Sequence, residues 1–382
     1  MLIGDMVAVW CAEGGVSFAT GVPDSVLVGF CRALTSGHCG MKHEVAVNEG
    51  AAVAIAIGWH LATRSIPLVY LQNSGLGNAV NPLASLASSD VFSIPLLLLI
   101  GWRGQPGQKD EVQHRLMGAA TESILRSLEI PFVILPHTER EAREVVLSAL
   151  SQIRSTGRPH ALLVERGTIS PGYKPSGIGD LSKWCGAEAL VDLCRRIPLD
   201  DICITTVGFI SRNLAEHRRE TSRALNNDLL VVGGMGLASQ VALGIALGAI
   251  ERRVWCLDGD GALLMHLGSA AAIGASGARN MIHVVFNNGI HESVGGFATS
   301  QPATEFPAVA LACGYRSAVS VTTSAELEVL TSWMQNQEGP YLLQLCVASN
   351  PDLNVPRPST SPLRNKELLV DTLSNDKGAV RG

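Results

Sequence analysis

Two polar loops in the second half of the sequence carry side chains that suit a metal ion. Asp260 lies between two glycines, and Asn288 follows 28 residues later in an Asn-Asn-Gly loop. That interval is one helix plus one strand, which returns Asn288 to the sheet edge where Asp260 lies. A carboxylate, an amide oxygen and a backbone carbonyl are hard oxygen ligands of the kind that Mg2+ accepts. Either loop alone is an ordinary turn, but the pair at this spacing favours a metal–diphosphate site.

Two further loops place a distinctive residue beside glycine. Glu49 opens a segment that stays apolar as far as His60, so the glutamate begins a buried helix. A glutamate in a first helical turn is usually an exposed residue that the helix dipole favours, whereas a buried carboxylate needs a partner. Met235 lies among glycines in the run 233–236, and by itself is equally well explained as a core methionine.

The elements that position these loops alternate between strand and helix. Short apolar runs predict strands near 16–20, 43–47, 67–71, 95–100, 132–135, 161–165, 202–205, 229–232, 254–257, 283–287, 316–319 and 341–347. Helical patterns lie between them, including 24–34, 49–62, 139–153, 237–249, 262–275 and 325–334. This alternation indicates an α/β fold with two doubly wound parallel-sheet domains, whose ligands bind at the carboxyl ends of the strands.

Domain boundaries follow from local composition. A stretch at 168–184 rich in Gly, Pro and Ser predicts a linker between a first domain at 1–167 and a second at 185–350. The polar, Pro-rich residues 351–382 predict a loosely held C-terminal tail.

Overall composition excludes several classes of protein. The 382 residues carry a net charge of −5, which argues against a nucleic-acid or anionic-membrane binder. The first basic residue, Arg32, comes after Asp5 and Glu13, so no secretory signal is expected. The uncharged residues 231–250 contain five glycines, which favours a strand, a turn and a buried helix over a membrane span.

Cysteine and glycine usage points to a reduced protein with closely packed layers. The nine cysteines are odd in number and form no Cys-x-x-Cys pair, so they are expected as small core residues of a cytoplasmic protein without a zinc site. With 39 glycines and only 5% aromatic residues, the composition suits sheets buried on both faces by closely packed helices.

Together the four loops resemble those of the thiamine-diphosphate-dependent 2-oxo-acid decarboxylases. The similarity covers nearly the whole chain, with departures at Val112, Glu292 and Phe297, the last near the expected substrate pocket. It is carried by the segments 21–25, 72–83, 101–104, 109–111, 113–114, 287–296, 356–358 and 365–366. The resemblance implies two domains of the thiamine-diphosphate-binding type, a pyrimidine-binding domain first and a diphosphate- and Mg2+-binding domain second.

The resemblance also implies a role for each matched residue. Glu49 is expected to share a proton with the cofactor's pyrimidine ring, so that thiamine diphosphate forms its ylid. Met235 is expected to support the bent cofactor, and the Gly233 carbonyl to accept from its amino group. The implied metal ligands are Asp260, Asn288 and the backbone oxygen of Ile290. The implied cofactor-binding residues are Glu49, Gly233, Met235, Gly259, Asp260, Gly261 and Asn288.

The implied substrate is a 2-oxo acid bearing a phosphonate, 3-phosphonopyruvate, which would yield phosphonoacetaldehyde and carbon dioxide. Two anionic groups require cations, for which Arg103 and Lys109 are the candidates. A solvated surface loop explains both residues equally well. Ser25 and Asn73 are expected to add hydrogen bonds to the substrate.

Protons are expected to move through His114 or His291, although a structural role explains His291 equally well. The implied assembly is a homodimer or higher homo-oligomer with active sites between subunits, without nucleic-acid or membrane partners.

Three alternatives remain at this point. Sulfopyruvate differs from phosphonopyruvate by about one charge and one proton, and the same cations suit either. A nicotinamide-dependent oxidoreductase would use a Gly-x-Gly turn, present at 75–77 and 234–236 but without the third glycine or the acidic ribose partner. A non-catalytic assembly subunit would be expected to lack Glu49 or Asp260.

Overall fold

The structure is a computed structural model that describes residues 1–172, 184–299, 304–334, 337–350 and 354–379. The chain divides into two compact units. The first comprises Met1–Ser176 and His291–Ser300, and the second comprises Gly177–Ile290 and Gln301–Gly382. Most of the predicted linker at 168–184 lies outside the described residues.

The first unit alternates strands and helices. Its strands are β1 (Leu2–Ile3), β2 (Val16–Gly21), β3 (Lys42–Val45), β4 (Ile66–Gln72), β5 (Leu97–Trp102), β6 (Phe132–Ile134), β7 (His160–Glu165) and β8 (Ile169–Ser170). Its helices are α1 (Gly4–Glu13), α2 (Val28–Ser36), α3 (Glu49–Thr63), α4 (Leu76–Pro82), α5 (Val112–Ser127) and α6 (Glu139–Thr156). Short 3-10 and π turns at Asn73–Gly75 and Leu83–Ala87 flank α4.

The second unit repeats the pattern. The strands of its sheet are β9 (Ile202–Thr205), β10 (Asp228–Leu230), β11 (Val254–Gly259), β12 (Met281–Asn287), β15 (Ser317–Val321) and β16 (Tyr341–Cys346). Two short strands, β13 (Ile290–His291) and β14 (Phe297–Ala298), form a separate two-stranded sheet whose residues from His291 onward belong to the first unit. Its helices are α7 (Gly186–Cys194), α8 (Phe209–Glu220), α9 (Ala238–Gly248), α10 (Asp260–Met265), α11 (Ser269–Ser276), α12 (Phe306–Ala312), α13 (Ser324–Met334) and α14 (Pro362–Ala379).

The two six-stranded sheets have the same connectivity. Their orders are β3-β2-β4-β5-β7-β6 and β10-β9-β11-β12-β16-β15, and every described ladder within them is parallel. In each sheet the first strand lies between the second and third, and the sixth lies between the fourth and fifth. The prediction of two doubly wound parallel sheets is confirmed, and loops at the carboxyl ends of the central strands are the expected ligand-binding positions.

Both faces of each sheet are buried, as the composition predicted. Along β5, Leu97 and Leu99 join one hydrophobic cluster while Leu98 and Ile100 join the other. Along β11, Val254 and Cys256 face one cluster, and Trp255 and Leu257 face the second. Strands buried on both faces read as continuous apolar runs, which is why their positions could be predicted.

Helix boundaries were predicted less well than strands. The helix predicted from residue 24 begins at Val28, because the Asp24 carboxylate accepts the Val26 amide at 3.0 Å and keeps residues 24–27 in a turn. The single helix predicted at 262–275 is two helices, α10 and α11, because the chain leaves helical geometry at His266, where φ is −135° and ψ is 51°.

The expectation of a loosely held tail is wrong for the stretch that forms α14. Asn365 of this helix is buried, and its side chain accepts the Leu230 amide and donates to the Asp228 carbonyl, each at 2.8 Å. Leu369 packs into the core beside β10. Two backbone groups at an edge strand are thereby satisfied, so α14 is part of the second unit.

All nine cysteines are free thiols, and seven of them are buried, in agreement with their predicted role as core residues. No helix in the described ranges is long and apolar enough to cross a bilayer. The uncharged run at 231–250 consists of a turn followed by α9, which is buried on one side only. The strand expected within this run ends just before it, at Leu230.

Candidate active site

Glu49 lies at the start of α3 in the first unit, with only 6% of its surface exposed. Asn48 caps the helix by accepting the Ala51 amide at 2.8 Å. Asn78 donates to Glu49 Oε2 at 2.8 Å. A Cβ atom on Gly75 would come within 2.2 Å of Glu49 Oε1, so glycine at this position leaves room for the carboxylate. The predicted buried carboxylate therefore has its partner, which the sequence analysis did not name.

Arg103 follows β5, and its side chain is 14% exposed. It donates two hydrogen bonds to Asp110, from Nε to Oδ2 at 2.7 Å and from Nη2 to Oδ1 at 2.5 Å. Its Nη1 donates to Ser25 Oγ at 2.9 Å. The hydrogen bonds from Arg103 lower the pKa of Asp110 to about 2, and the same pairing raises the pKa of Arg103. Arg103 is thus a fixed cation and not a solvated loop residue, whereas Lys109 is exposed.

Asn73 holds the backbone of Arg103. Its Nδ2 donates to the Arg103 carbonyl at 2.8 Å and to Thr121 Oγ1 at 2.9 Å, and its Oδ1 accepts the Arg103 amide at 3.0 Å. Because Asn73 is buried and these bonds engage both ends of its amide, the structure gives it a positioning contact with Arg103. Its predicted hydrogen bond to substrate stays a prediction.

Asp24 is an ionisable residue beside Ser25 that the sequence analysis did not select. It is buried, and burial raises its pKa to about 6, against the opposing effects of the Val26 amide and the Arg103 charge. Its Oδ1 is also buried, without a hydrogen-bond partner among the described residues. The signal in the sequence was its position, directly after an apolar strand and next to a predicted substrate residue.

The two candidate proton carriers both have lowered pKa values. Burial lowers the pKa of His114, near the start of α5, and the neighbouring Arg103 charge lowers it further. Burial lowers the pKa of His291 to about 4. Each imidazole is therefore neutral near pH 7 and able to accept a proton.

In the second unit, Asp260 and Asn288 follow neighbouring strands. Gly259 of β11 lies opposite Phe286 of β12, so the next residues along both strands emerge at one edge of the sheet. The side chain of Asn288 accepts the Ile290 amide at 3.1 Å, which fixes its oxygen next to that peptide. The predicted adjacency of the two strand ends is confirmed.

The donors at this edge fit Mg2+. A carboxylate, a side-chain amide oxygen and a peptide carbonyl are the oxygen ligands that this ion prefers. A Cβ atom on Gly259 would approach only Ile210, at 3.9 Å, so there is open space beside the Asp260 loop.

Met235 is presented by a turn of glycines after β10. Gly233, Gly234 and Gly236 have φ values of +74°, +56° and +86°, a region that residues with a Cβ rarely adopt. A Cβ atom on Gly236 would lie 2.5 Å from His266 Nδ1, so the turn packs closely against the end of α10. Met235 is half-buried and lies in a turn that packs against the end of α10, so it is not a fully enclosed core methionine.

Two protein families match the chain. Residues 1–124 match the thiamine pyrophosphate enzyme N-terminal TPP binding domain, and residues 206–345 match the corresponding C-terminal TPP binding domain. Neither match supports the nicotinamide alternative.

Similarity to characterised relatives extends over most of the chain. A phosphonopyruvate decarboxylase of Streptomyces viridochromogenes is 32% identical over 363 residues, which cover 91% of this chain and 89% of the relative. A phosphonopyruvate decarboxylase of Streptomyces hygroscopicus is also 32% identical, with 91% and 88% covered. A sulfopyruvate decarboxylase of Methanosarcina acetivorans is 28% identical, with 86% and 87% covered. The chain therefore belongs to the family of thiamine pyrophosphate-dependent decarboxylases that includes these proteins, and it is a carboxy-lyase.

Proposed function

We propose that this enzyme decarboxylates 3-phosphonopyruvate to phosphonoacetaldehyde and carbon dioxide, as a cytoplasmic protein of phosphonate biosynthesis. The structural observation that supports an anionic substrate is Arg103, a guanidinium held in one orientation by Asp110 with Nη1 on Ser25. A fixed planar cation suits a phosphonate or a carboxylate better than a mobile one. Exposed Lys109 on the same loop supplies a second positive charge.

The residues of the first unit handle protons in this proposal. Bound thiamine diphosphate supplies the electron sink that decarboxylation of a 2-oxo acid requires. Because Asn78 engages Oε2 of Glu49, we assign the shared proton to Oε1. His114 and His291 are neutral near pH 7 and are the candidates for accepting or returning a proton at the substrate.

The residues of the second unit hold the cofactor in this proposal. Asp260, Asn288 and the carbonyl of Ile290 are assigned to Mg2+, with Gly259 and Gly261 leaving room for the diphosphate. Gly233 and Met235 are assigned to the cofactor's pyrimidine end. Residues 1–167 then form most of the pyrimidine-binding domain, and residues 185–350 together with α14 form most of the diphosphate- and Mg2+-binding domain.

Sulfopyruvate is the second candidate substrate, and the Methanosarcina relative supports it. Sulfonate carries one negative charge, whereas phosphonate carries up to two. The ion pair of Arg103 and Asp110 does not discriminate between them by itself. The higher identity to two phosphonopyruvate decarboxylases favours the first assignment.

We also propose that the enzyme is a homodimer or higher homo-oligomer with active sites between subunits. On α3, the exposed residues include Ala54, Ile55, Gly58 and Leu61, which form one uncharged face. On α9, Val241, Gly244, Leu247 and Gly248 form a similar face. Small and apolar residues exposed at helical spacing are typical of helices that pack closely against a partner. A second copy of this chain is the assigned partner, and sedimentation analysis tests it.

The experiment that tests the function measures carbon dioxide released from phosphonopyruvate, sulfopyruvate and pyruvate, each with and without thiamine diphosphate and Mg2+. We expect turnover of phosphonopyruvate that requires both additions. Turnover of sulfopyruvate alone would show that the substrate bound at the anion site was assigned wrongly, and it would leave the proposed mechanism unchanged. An absence of turnover together with an absence of cofactor binding would contradict the proposal as a whole.

A further inference from the structure

A buried chain of polar groups lies beneath the Asp260 loop. Asp258 and His283 are both 0% exposed, on neighbouring strands β11 and β12. His283 Nε2 lies 3.3 Å from Asp258 Oδ2, and His283 Nδ1 lies 3.0 Å from the hydroxyl of Tyr315. Asp258 Oδ1 accepts the amide of Gly259 at 2.9 Å. The chain therefore ends on the peptide group that joins Asp258 to Gly259, one residue before Asp260.

The surroundings of this chain are apolar. Trp255, Leu257, Val284 and Val285, on the same two strands, are all fully buried. Ionisable groups in such a core cost free energy unless their hydrogen bonds are satisfied, and apolar side chains of similar volume would avoid that cost. A satisfied polar chain at this depth can instead specify one arrangement of the backbone.

A metal site is the other interpretation of the same residues. The thiol of Cys256 and the ligand atoms of Asp258 and His283 lie within 4.8 Å of one another. However, both nitrogens of His283 and both oxygens of Asp258 are already engaged in hydrogen bonds. Burial also raises the pKa of Cys256 well above its usual value, which keeps it as a thiol and a poor ligand. Hydrogen bonding explains the cluster better.

One arrangement of protons satisfies every group of this chain. Burial raises the pKa of Tyr315, so its hydroxyl keeps its proton and can donate it to His283 Nδ1. The N–H at His283 Nε2 then donates to Asp258. In that arrangement the carboxylate accepts two hydrogen bonds, from His283 and from the Gly259 amide.

We infer that Asp258, His283 and Tyr315 are positioning residues that fix the Gly259 peptide and thereby aim the Asp260 carboxylate at Mg2+. This inference rests on the proposed role of Asp260 as a metal ligand. Groups that orient a ligand from behind typically change metal affinity by about 10- to 100-fold when they are removed. None of the three residues was selected from the sequence.

The test compares Mg2+ binding and stability in matched variants of the full-length enzyme. Tyr315→Phe removes one hydroxyl, and His283→Leu removes the hydrogen bonds of His283 to both Tyr315 and Asp258. His283→Gln keeps an N–H donor for Asp258. Tyr70→Phe is the control, because Tyr70 is buried in the first unit and its hydroxyl lies 2.8 Å from His43 Nε2. The readouts are the Mg2+ concentration that half-saturates the tryptophan fluorescence change with thiamine diphosphate present, and the thermal midpoint.

We expect His283→Leu to raise the half-saturating Mg2+ concentration at least about tenfold, with a smaller rise for Tyr315→Phe and partial recovery in His283→Gln. Tyr70→Phe should lower the thermal midpoint about as much as Tyr315→Phe and leave Mg2+ binding unchanged.

Unchanged Mg2+ binding in folded Tyr315→Phe and His283→Leu variants would overturn the inference and show that the three residues serve only core packing. If wild-type protein itself shows no Mg2+-dependent binding of thiamine diphosphate, the proposed function has failed instead. The two failures are therefore distinguishable.

Discussion

The two units share one strand order but use the carboxyl edges of their sheets differently. In the first unit Glu49 follows β3, the second strand of the six-stranded sheet in chain order. At the equivalent position of the second unit, Gly233 and Met235 follow β10. Arg103 follows β5, the fourth strand of the first sheet, and Asn288 follows β12, the fourth strand of the second sheet. Topology therefore determines where functional loops lie, and the residues of each loop determine the chemistry.

The polar groups of the two edges are also held differently. In the first unit they are engaged with one another, as in the pairs Arg103–Asp110 and Glu49–Asn78. In the second unit the loops are rich in glycine, and the polar support comes from beneath, through Asp258. This difference suits a first unit that moves protons and holds an anion, and a second unit that holds a metal and a diphosphate.

The largest effect is expected for Glu49→Gln in the first unit. The amide keeps the shape and can still contact Asn78, but it cannot exchange a proton, so kcat should fall about 100- to 10,000-fold. Thiamine diphosphate binding in the presence of Mg2+, measured by fluorescence, should be largely intact. Glu44→Gln, at an exposed position of β3, is the isosteric control. Wild-type turnover by Glu49→Gln would contradict the assignment of proton transfer to Glu49 in the first unit.

The corresponding change in the second unit, Asp260→Ala, should act on binding. Removing a charged ligand should raise the half-saturating Mg2+ concentration by about 100-fold or more, and cofactor binding should be lost at ordinary Mg2+ concentrations. Asp371→Ala on the exposed side of α14 is the control. Retained cofactor affinity in Asp260→Ala would contradict the assignment of the metal site to this edge of the sheet.

A smaller effect is expected for Asp110→Asn. Arg103 loses its bidentate partner and its orientation, so KM for phosphonopyruvate should rise about tenfold with kcat changed less than about threefold. Loss of a half-buried ion pair should also lower the free energy of unfolding by about 1–3 kcal/mol. Since the pKa of Asp110 is lowered to about 2, this contribution is present above about pH 4 and is lost as pH falls toward 2.

The control for Asp110→Asn is Glu122→Gln, which breaks an exposed pair with Arg126 on α5. Exposed pairs contribute about 0–1 kcal/mol, and this one is not expected to change KM. Equal KM effects in both variants would show that Arg103 does not depend on Asp110 for its orientation.

The smallest effect on catalysis is expected for Asp24→Asn, which changes the pH dependence of stability. The pKa of Asp24 is raised to about 6, so folded protein binds this proton more tightly than unfolded protein does. Through this group, stability is highest below about pH 4 and decreases as pH rises to about 6, by up to about 3 kcal/mol. Asp24→Asn should remove that decrease and gain stability relative to wild type between pH 4.5 and 7.5. A stability difference independent of pH, measured by chemical denaturation, would contradict the raised pKa.

Sequence patterns predicted the strands well and the side-chain partners poorly. Strands buried on both faces are continuous apolar runs, so even the bounds of β9 (Ile202–Thr205) were recovered. The break at His266 was missed. The docking of α14 was also missed, because it depends on contacts with residues distant in sequence, such as Asn365 with Leu230. Local patterns contain no information on such pairings.

What the sequence determined by itself is the order of strands and helices and the identity of the loop residues at the strand ends. Spacing was enough to place Asp260 and Asn288 at one edge, because parallel strands one crossover apart end side by side. Only the tertiary structure decided that Asn78 meets Glu49, that Asp110 fixes Arg103, and that Tyr315 reaches Asp258 through His283. Those contacts join separate elements, and hydrogen bonds form only where folding brings donor and acceptor within about 3 Å.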